Sequence, residues 1–248
     1  ICYTLANDPL WEKPHMDRII RMYERDKNYA SVITWSTGNE AGNGINMYEG
    51  YNWLKKNDHR PVQYERAEWD FNTDIICTQY PTPEDMINYG KSTNPANNRP
   101  YIMSEYAHIM GNSLGNFKDF WDAVETTPKL QGGYIWEWID QGVDTIKNGK
   151  RILAYGGDFP FDKPVDPVLM SDNNFNIKGL VTGYRELTPM AVEAKKVHQH
   201  IKTTWNGSNS ITIQNGYFFR DLSNYEMQWT VLRNGKPEQK GMINNLNV

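Results

Sequence analysis

The sequence predicts an α/β protein, most of it parallel β/α architecture, on three observations. Apolar stripes at helical spacing alternate with short β-branched and aromatic runs. These runs end on polar and aromatic residues: Asn39 and Glu40 after the first, Glu105 after a later one, Trp136 after the last. Past Trp205 the alternation gives way to short segments of period two. An open parallel sheet and part of a (β/α)8 barrel both fit the alternation, and the residues at the strand ends favour the barrel.

From Pro14, the residues Met16, Ile19, Ile20 and Tyr23 fall at i, i+3, i+4 and i+7, which predicts an amphipathic helix with proline near its first turn. Ser31 to Ser36 predicts a buried strand entering a tight turn at Gly38, and the turn carries Asn39 and Glu40. A helix around Met47 to Lys56 follows, then strands at Val62 to Tyr64 and Asp74 to Cys77 and a helix around Glu84 to Tyr89. The strand Tyr101 to Ser104 ends at Glu105. Phe117, Phe120, Trp121 and Val124 make another helical stripe, and Gly133 to Trp136 is the next strand.

Around Trp205-Asn206-Gly207 the pattern changes to Ser210 to Gln214, Tyr217 to Arg220 and Glu226 to Leu232, with a turn at Asn234-Gly235. This is the expected start of a β-sandwich. Only roughly 45 residues remain, against about 100 for a sandwich of the immunoglobulin kind, so this domain is expected to be truncated. The expected division is therefore 1–200 for the barrel and 201–248 for the sandwich. The first residues are neither an initiator Met nor a charged-then-apolar leader, which suggests a start inside a longer protein.

A balance of 26 Lys and Arg against 30 Asp and Glu leaves no basic face for nucleic acid or anionic lipid. No apolar run approaches the ~20 residues that cross a bilayer. A neutral or polar ligand fits better. Nine Trp and fifteen Tyr supply flat rings that can stack on sugar faces, although most such rings fill a core. Cys2 and Cys77 make no disulfide framework and sit in no CxxC pattern, so both are expected to be free thiols.

Retaining glycoside hydrolysis needs two carboxyl groups roughly 5–5.5 Å apart, one to attack the anomeric carbon and one to protonate the leaving oxygen. Glu40 and Glu105 each follow an apolar strand, and in one barrel both would lie at the C-terminal rim. A glutamate at a strand end is ordinarily a solvated loop charge. The contexts are more specific: Trp35-Ser36-Thr37-Gly38-Asn39-Glu40 and Ser104-Glu105-Tyr106-Ala107-His108-Ile109-Met110-Gly111-Asn112-Ser113. They strongly resemble the two signatures of family-2 glycoside hydrolases. The resemblance extends through Arg60 to Glu65, Gly132 to Gln141 and Tyr155 to Phe159, and within the family it is similar to the large bacterial β-galactosidases.

That resemblance implies a TIM barrel represented by about strands four to eight. It implies Glu40 as general acid/base and Glu105 as nucleophile, with Asn39 on the sugar 2-hydroxyl, Tyr80 hydrogen-bonded to the nucleophile, His108 on sugar hydroxyls and Trp136 as an aromatic platform. Plain core packing suits Trp138 better. The resemblance also implies that Glu40 touches a magnesium ion whose other ligands lie upstream of this chain. It implies a soluble bacterial protein, cytoplasmic or periplasmic, from a family whose members often form homo-oligomers. The expected ligand is a β-galactoside or a related oligosaccharide. His198 and His200, at alternate strand positions with no nearby carboxylate, are expected to be surface residues.

One stretch departs from the pattern. Asn174-Phe175-Asn176-Ile177-Lys178 matches a segment that supplies monovalent-cation ligands near the sugar 6-hydroxyl, and Lys178 stands where those enzymes have Asn. Its ammonium could take the cation's place and donate to that hydroxyl, which puts a monovalent-cation requirement in doubt. Asn176-Ile177-Lys178 also resembles the Asn-x-Lys motif with which family-2 β-glucuronidases hold a substrate carboxylate. A surface or structural charge is the third option for Lys178. The sequence thus leaves a β-galactosidase, a β-glucuronidase or other family-2 β-glycosidase, and an inactive structural fragment of either. Half a barrel has open sheet edges, so the isolated chain is expected neither to fold stably nor to turn over.

Overall fold

The computed structural model describes residues 5–155, 158–159, 173–244 and 246. Cys2 and the Gly156-Gly157 pair lie outside the described residues. The chain divides into two units, residues 1–194 and 195–248, each described by itself.

In the first unit, helix α1 (Glu12–Asp26) precedes β1 (Trp35–Ser36), α2 (Ile45–Asn57) and β2 (Val62–Gln63). Then come β3 (Ile76–Gln79), α3 (Pro83–Lys91), β4 (Tyr101–Tyr106), α4 (Phe117–Thr126) and β5 (Leu130–Ile135). The β1–β2 and β3–β4–β5 pairings are parallel, and a parallel bridge from Gln63 to Ile75 joins β2 to the entry of β3. Each strand therefore neighbours in space the strand next to it in sequence. A doubly wound sheet reverses its order partway; this order belongs to the singly wound barrel, and the described residues contain five of its strands.

Packing explains the layers. Ile19 of α1 and Leu54 of α2 close over Trp35 and Val62, with Met22, Tyr23, Tyr51 and Trp53 packed against them. Burying each such side chain contributes ~1.5–3 kcal/mol. Helix α3 starts on a reciprocal cap: Thr82 Oγ1 accepts from the Asp85 N–H, and Asp85 accepts from the Thr82 N–H, with Pro83 at the first turn.

The first strand is shorter than expected. The Arg60 guanidinium donates to the carbonyls of Val32 (3.1 Å) and Lys27, so backbone that would otherwise seek a neighbouring strand is satisfied by a side chain. An antiparallel hairpin, β6 (Val143–Lys147) and β7 (Lys150–Ala154), was not foreseen. Its signal was present in Asn148-Gly149, both at positive φ, the pair that two-residue hairpin turns favour.

Helix α5 (Pro189–Val197) leads to β8 (Ile201–Trp205), which pairs antiparallel with β9 (Ile211–Asn215). Strands β10 (Met227–Arg233) and β11 (Lys236–Ile243) form a second hairpin through Asn234-Gly235. Tyr217 to Arg220 is not a strand. The Asn215 side chain accepts from the Tyr217 N–H and donates to the Arg220 carbonyl, so a local turn captures these groups. His198 and His200 likewise lie between α5 and β8 rather than on a strand, with the His200 ring against Tyr217 at 4.5 Å.

Candidate active site

The ends of β1, β3 and β4 share a backbone feature. Glu40, Tyr80 and Ala107, each just past a strand, have φ of 50°, 48° and 54°. Left-handed backbone at a residue with a Cβ costs on the order of 1 kcal/mol, and such residues gather where a fold holds functional groups.

The end of β2 fixes the loop that carries Glu40. The Tyr64 hydroxyl, on a 1% exposed side chain, donates to the Gly42 carbonyl at 2.5 Å and accepts from the Ala41 N–H at 3.2 Å. Glu65 accepts from the Glu40 N–H at 2.5 Å and from the Arg66 N–H at 2.8 Å. Burial pushes the Glu65 carboxyl above its ordinary range, although these N–H donors and the Arg66 charge pull it back. Glu40 itself points outward, its side chain 55% exposed, with Arg66 Nη2 3.6 Å from Oε1.

Glu105, on β4, accepts two hydrogen bonds, from the Tyr80 hydroxyl at 2.8 Å and Gln79 Nε2 at 3.0 Å. The Tyr80 N–H also donates to the Glu105 carbonyl, so the tyrosine is fixed at both ends. Burial, the hydrogen bond to Glu105 and the carboxylates of Glu105, Glu40 and Glu137 all raise the Tyr80 phenol, which therefore stays protonated and donating. The amide of Gln79 contacts Asn39 Oδ1 at 3.4 Å and its oxygen accepts from Arg66. Glu40, Arg66, Gln79 and Glu105 thus form one connected set.

A cavity of about 560 Å³ opens beside this set, lined among others by Asn39, Glu65, Glu105, Trp136, Glu137 and Trp138. The His108 ring lies 6.0 Å from Tyr80 and 5.4 Å from Phe175. Trp138 is not in a core; it is 62% exposed. Trp136 and Trp138 both line the cavity, as does Glu137 between them. The Trp136–Glu137 peptide is cis.

Lys178 is 3% exposed, which removes the surface option. Its Nζ lies 3.0 Å from Glu137 Oε1 and donates to Gln141 Oε1 at 3.1 Å. All the residues expected at the site therefore gather at one end of the strands. Four further participants were not foreseen: Glu65, Arg66, Gln79 and Glu137. Glu65 and Glu137 stood inside quoted motifs, but only the fold says what their side chains touch.

Residues 2–203 match the family described as glycosyl hydrolases family 2, TIM barrel domain, and residues 211–248 match β-galactosidase, domain 4. A β-galactosidase of Pseudoalteromonas haloplanktis is 42% identical, over 96% of this chain and 24% of that protein. One of Photobacterium profundum is 40% identical over the same shares. The chain thus spans about a quarter of the length of these curated relatives. Among solved structures, Ruminococcus gnavus β-glucuronidase superposes with a TM-score of 0.50 at 18% identity, covering 76% of this chain and 35% of that one. A β-galacturonidase from Eisenbergiella tayi gives 0.50 at 16%, covering 82% and 39%. These two likenesses show the fold, and the family match, which takes in most of the sequence, shows that this chain belongs to glycosyl hydrolase family 2.

Proposed function

We propose that the protein carrying this chain is a retaining β-galactosidase. The observation that carries the reading is the held carboxylate: Glu105 accepts from Tyr80 and Gln79, and Gln79 and Arg66 tie it to the more exposed Glu40. In the first step Glu105 attacks the anomeric carbon, the glycosidic C–O bond breaks, and Glu40 gives its proton to the departing oxygen. In the second step Glu40 takes a proton from water, the water oxygen attacks the same carbon, and the ester to Glu105 breaks with release of the sugar. Asn39 beside Gln79 is suited to the sugar 2-hydroxyl, His108 to further hydroxyls, and Trp136 to a sugar face. The names of the relatives at 40–42% identity support galactose as the sugar.

Magnesium enters only through Glu40. Among the described residues no group of three or more His, Cys, Asp or Glu is placed to hold a metal, so they do not make the site by themselves and no step is routed through the ion. The uronate alternative drew on Lys178, and that ammonium already has Glu137 and Gln141 as partners.

The test is turnover of nitrophenyl β-galactoside by the full-length protein. Wild type should hydrolyse it, and Glu105→Gln should not, because an amide cannot form the ester. Full activity in Glu105→Gln would remove Glu105 as nucleophile.

A further inference from the structure

We infer that Glu137 is a specificity-determining residue: its carboxylate occupies Lys178 as a sugar carboxylate otherwise would, so the pocket takes neutral sugars and turns away anionic ones. The inference rests on the β-glycosidase reading above and names the substrate class within it.

A buried ammonium requires partners. Lys178 has Glu137 Oε1 at 3.0 Å and Gln141 Oε1 at 3.1 Å, and its Nζ lies 5.6 Å from the Trp136 ring centroid and 5.2 Å from that of Phe175. Gln141 Nε2 donates to the second oxygen, Glu137 Oε2, at 2.9 Å. The three side chains form a closed triangle, with Glu137 Oε1 in the ion pair to Lys178 and Oε2 accepting from Gln141. The backbone holds it together: the Glu137 N–H donates to the Lys178 carbonyl at 3.0 Å, and the Leu180 N–H to the Glu137 carbonyl at 2.9 Å. Between Lys178 and Leu180 stands Gly179, where an added Cβ would meet the Asp140 nitrogen at 2.2 Å. The close approach of these segments therefore requires glycine.

The triangle adjoins the reacting carboxylate. Glu137 lines the same cavity as Glu105, and Phe175 leads through His108 to Tyr80, which donates to Glu105. A neutral sugar reaching this wall meets a neutralised pair. An anionic sugar finds the ammonium already engaged by Glu137 and would have to displace that carboxylate to use it, which disfavours it.

The matched probes are nitrophenyl β-galactoside and nitrophenyl β-galacturonide, which differ only at C6. In Glu137→Gln the amide keeps the size of the side chain and loses its charge. The galacturonide-to-galactoside ratio of kcat/KM should rise at least about tenfold over wild type, and the rise should shrink with added salt. In Glu137→Gln/Lys178→Met the rise should be gone. Should Glu137→Gln not fold, wild-type inhibition decides: galacturonate should inhibit at least about tenfold more weakly than galactose. An unmoved ratio in folded Glu137→Gln, or galacturonate inhibiting as well as galactose, overturns the role of Glu137 alone. A wild type that hydrolyses neither glycoside overturns the β-glycosidase reading and this inference with it.

Discussion

Tyr80 shows how a residue outside the carboxylate pair can govern it. Its hydroxyl is one of two donors to Glu105, and its backbone N–H fixes the loop to the Glu105 carbonyl. A hydrogen bond to a charged group contributes ~1.5–3 kcal/mol, so Tyr80→Phe should lower kcat/KM by about 10- to 100-fold while Gln79 still holds one oxygen. Steady-state kinetics on nitrophenyl β-galactoside measures this, and an unchanged kcat/KM would mean that the contact is not used. Glu40, Glu105 and Tyr80 were legible in the sequence because each stands in a specific run of residues. Glu137 and Arg66 were not, since a glutamate or arginine has its meaning in its partner, and their partners Lys178, Gln79 and Glu40 lie well outside any local motif.

Among the elements, Asp74 joins helix to sheet. Its carboxylate accepts from Tyr51 and Lys55 of α2 and from the Val62 N–H of β2, each at 2.8 Å. Burial alone would raise this carboxyl, but the bonds from Lys55, Val62 and Tyr51 outweigh it and hold it below its ordinary value. A depressed folded value means stability that is present above the unfolded pKa of about 3.9 and lost as pH falls through the folded one. Asp74→Asn should therefore cost about 1–2 kcal/mol at neutral pH, with the difference from wild type narrowing below about pH 4. Thermal unfolding of both proteins across that range checks it; a difference independent of pH would assign the loss to packing. The helices were legible from apolar spacing, which is a local property. Strand lengths were not, because Arg60 and Asn215 satisfy backbone groups that the sequence pattern had assigned to sheets.

For the whole molecule, the five strands lie in sequence order and β1 pairs only with β2 among the described residues. Tyr134 and Trp138, 50% and 62% exposed, are large apolar side chains on the cavity side. An open sheet with such a face does not bury enough to hold the rim geometry, so residues 1–248 expressed alone should give no turnover where the full-length protein does. Activity of the isolated chain on nitrophenyl β-galactoside would refute this. By itself the sequence determined the alternation of helix and strand, the turn chemistry and the two glutamates at strand ends, because periodicity and short motifs are written within a few residues. Only the tertiary structure decided that Trp138 lines the cavity and that Lys178 is buried against Glu137. Those are pairings across long stretches of chain, fixed by where backbone hydrogen bonds and charges find partners once the strands are side by side.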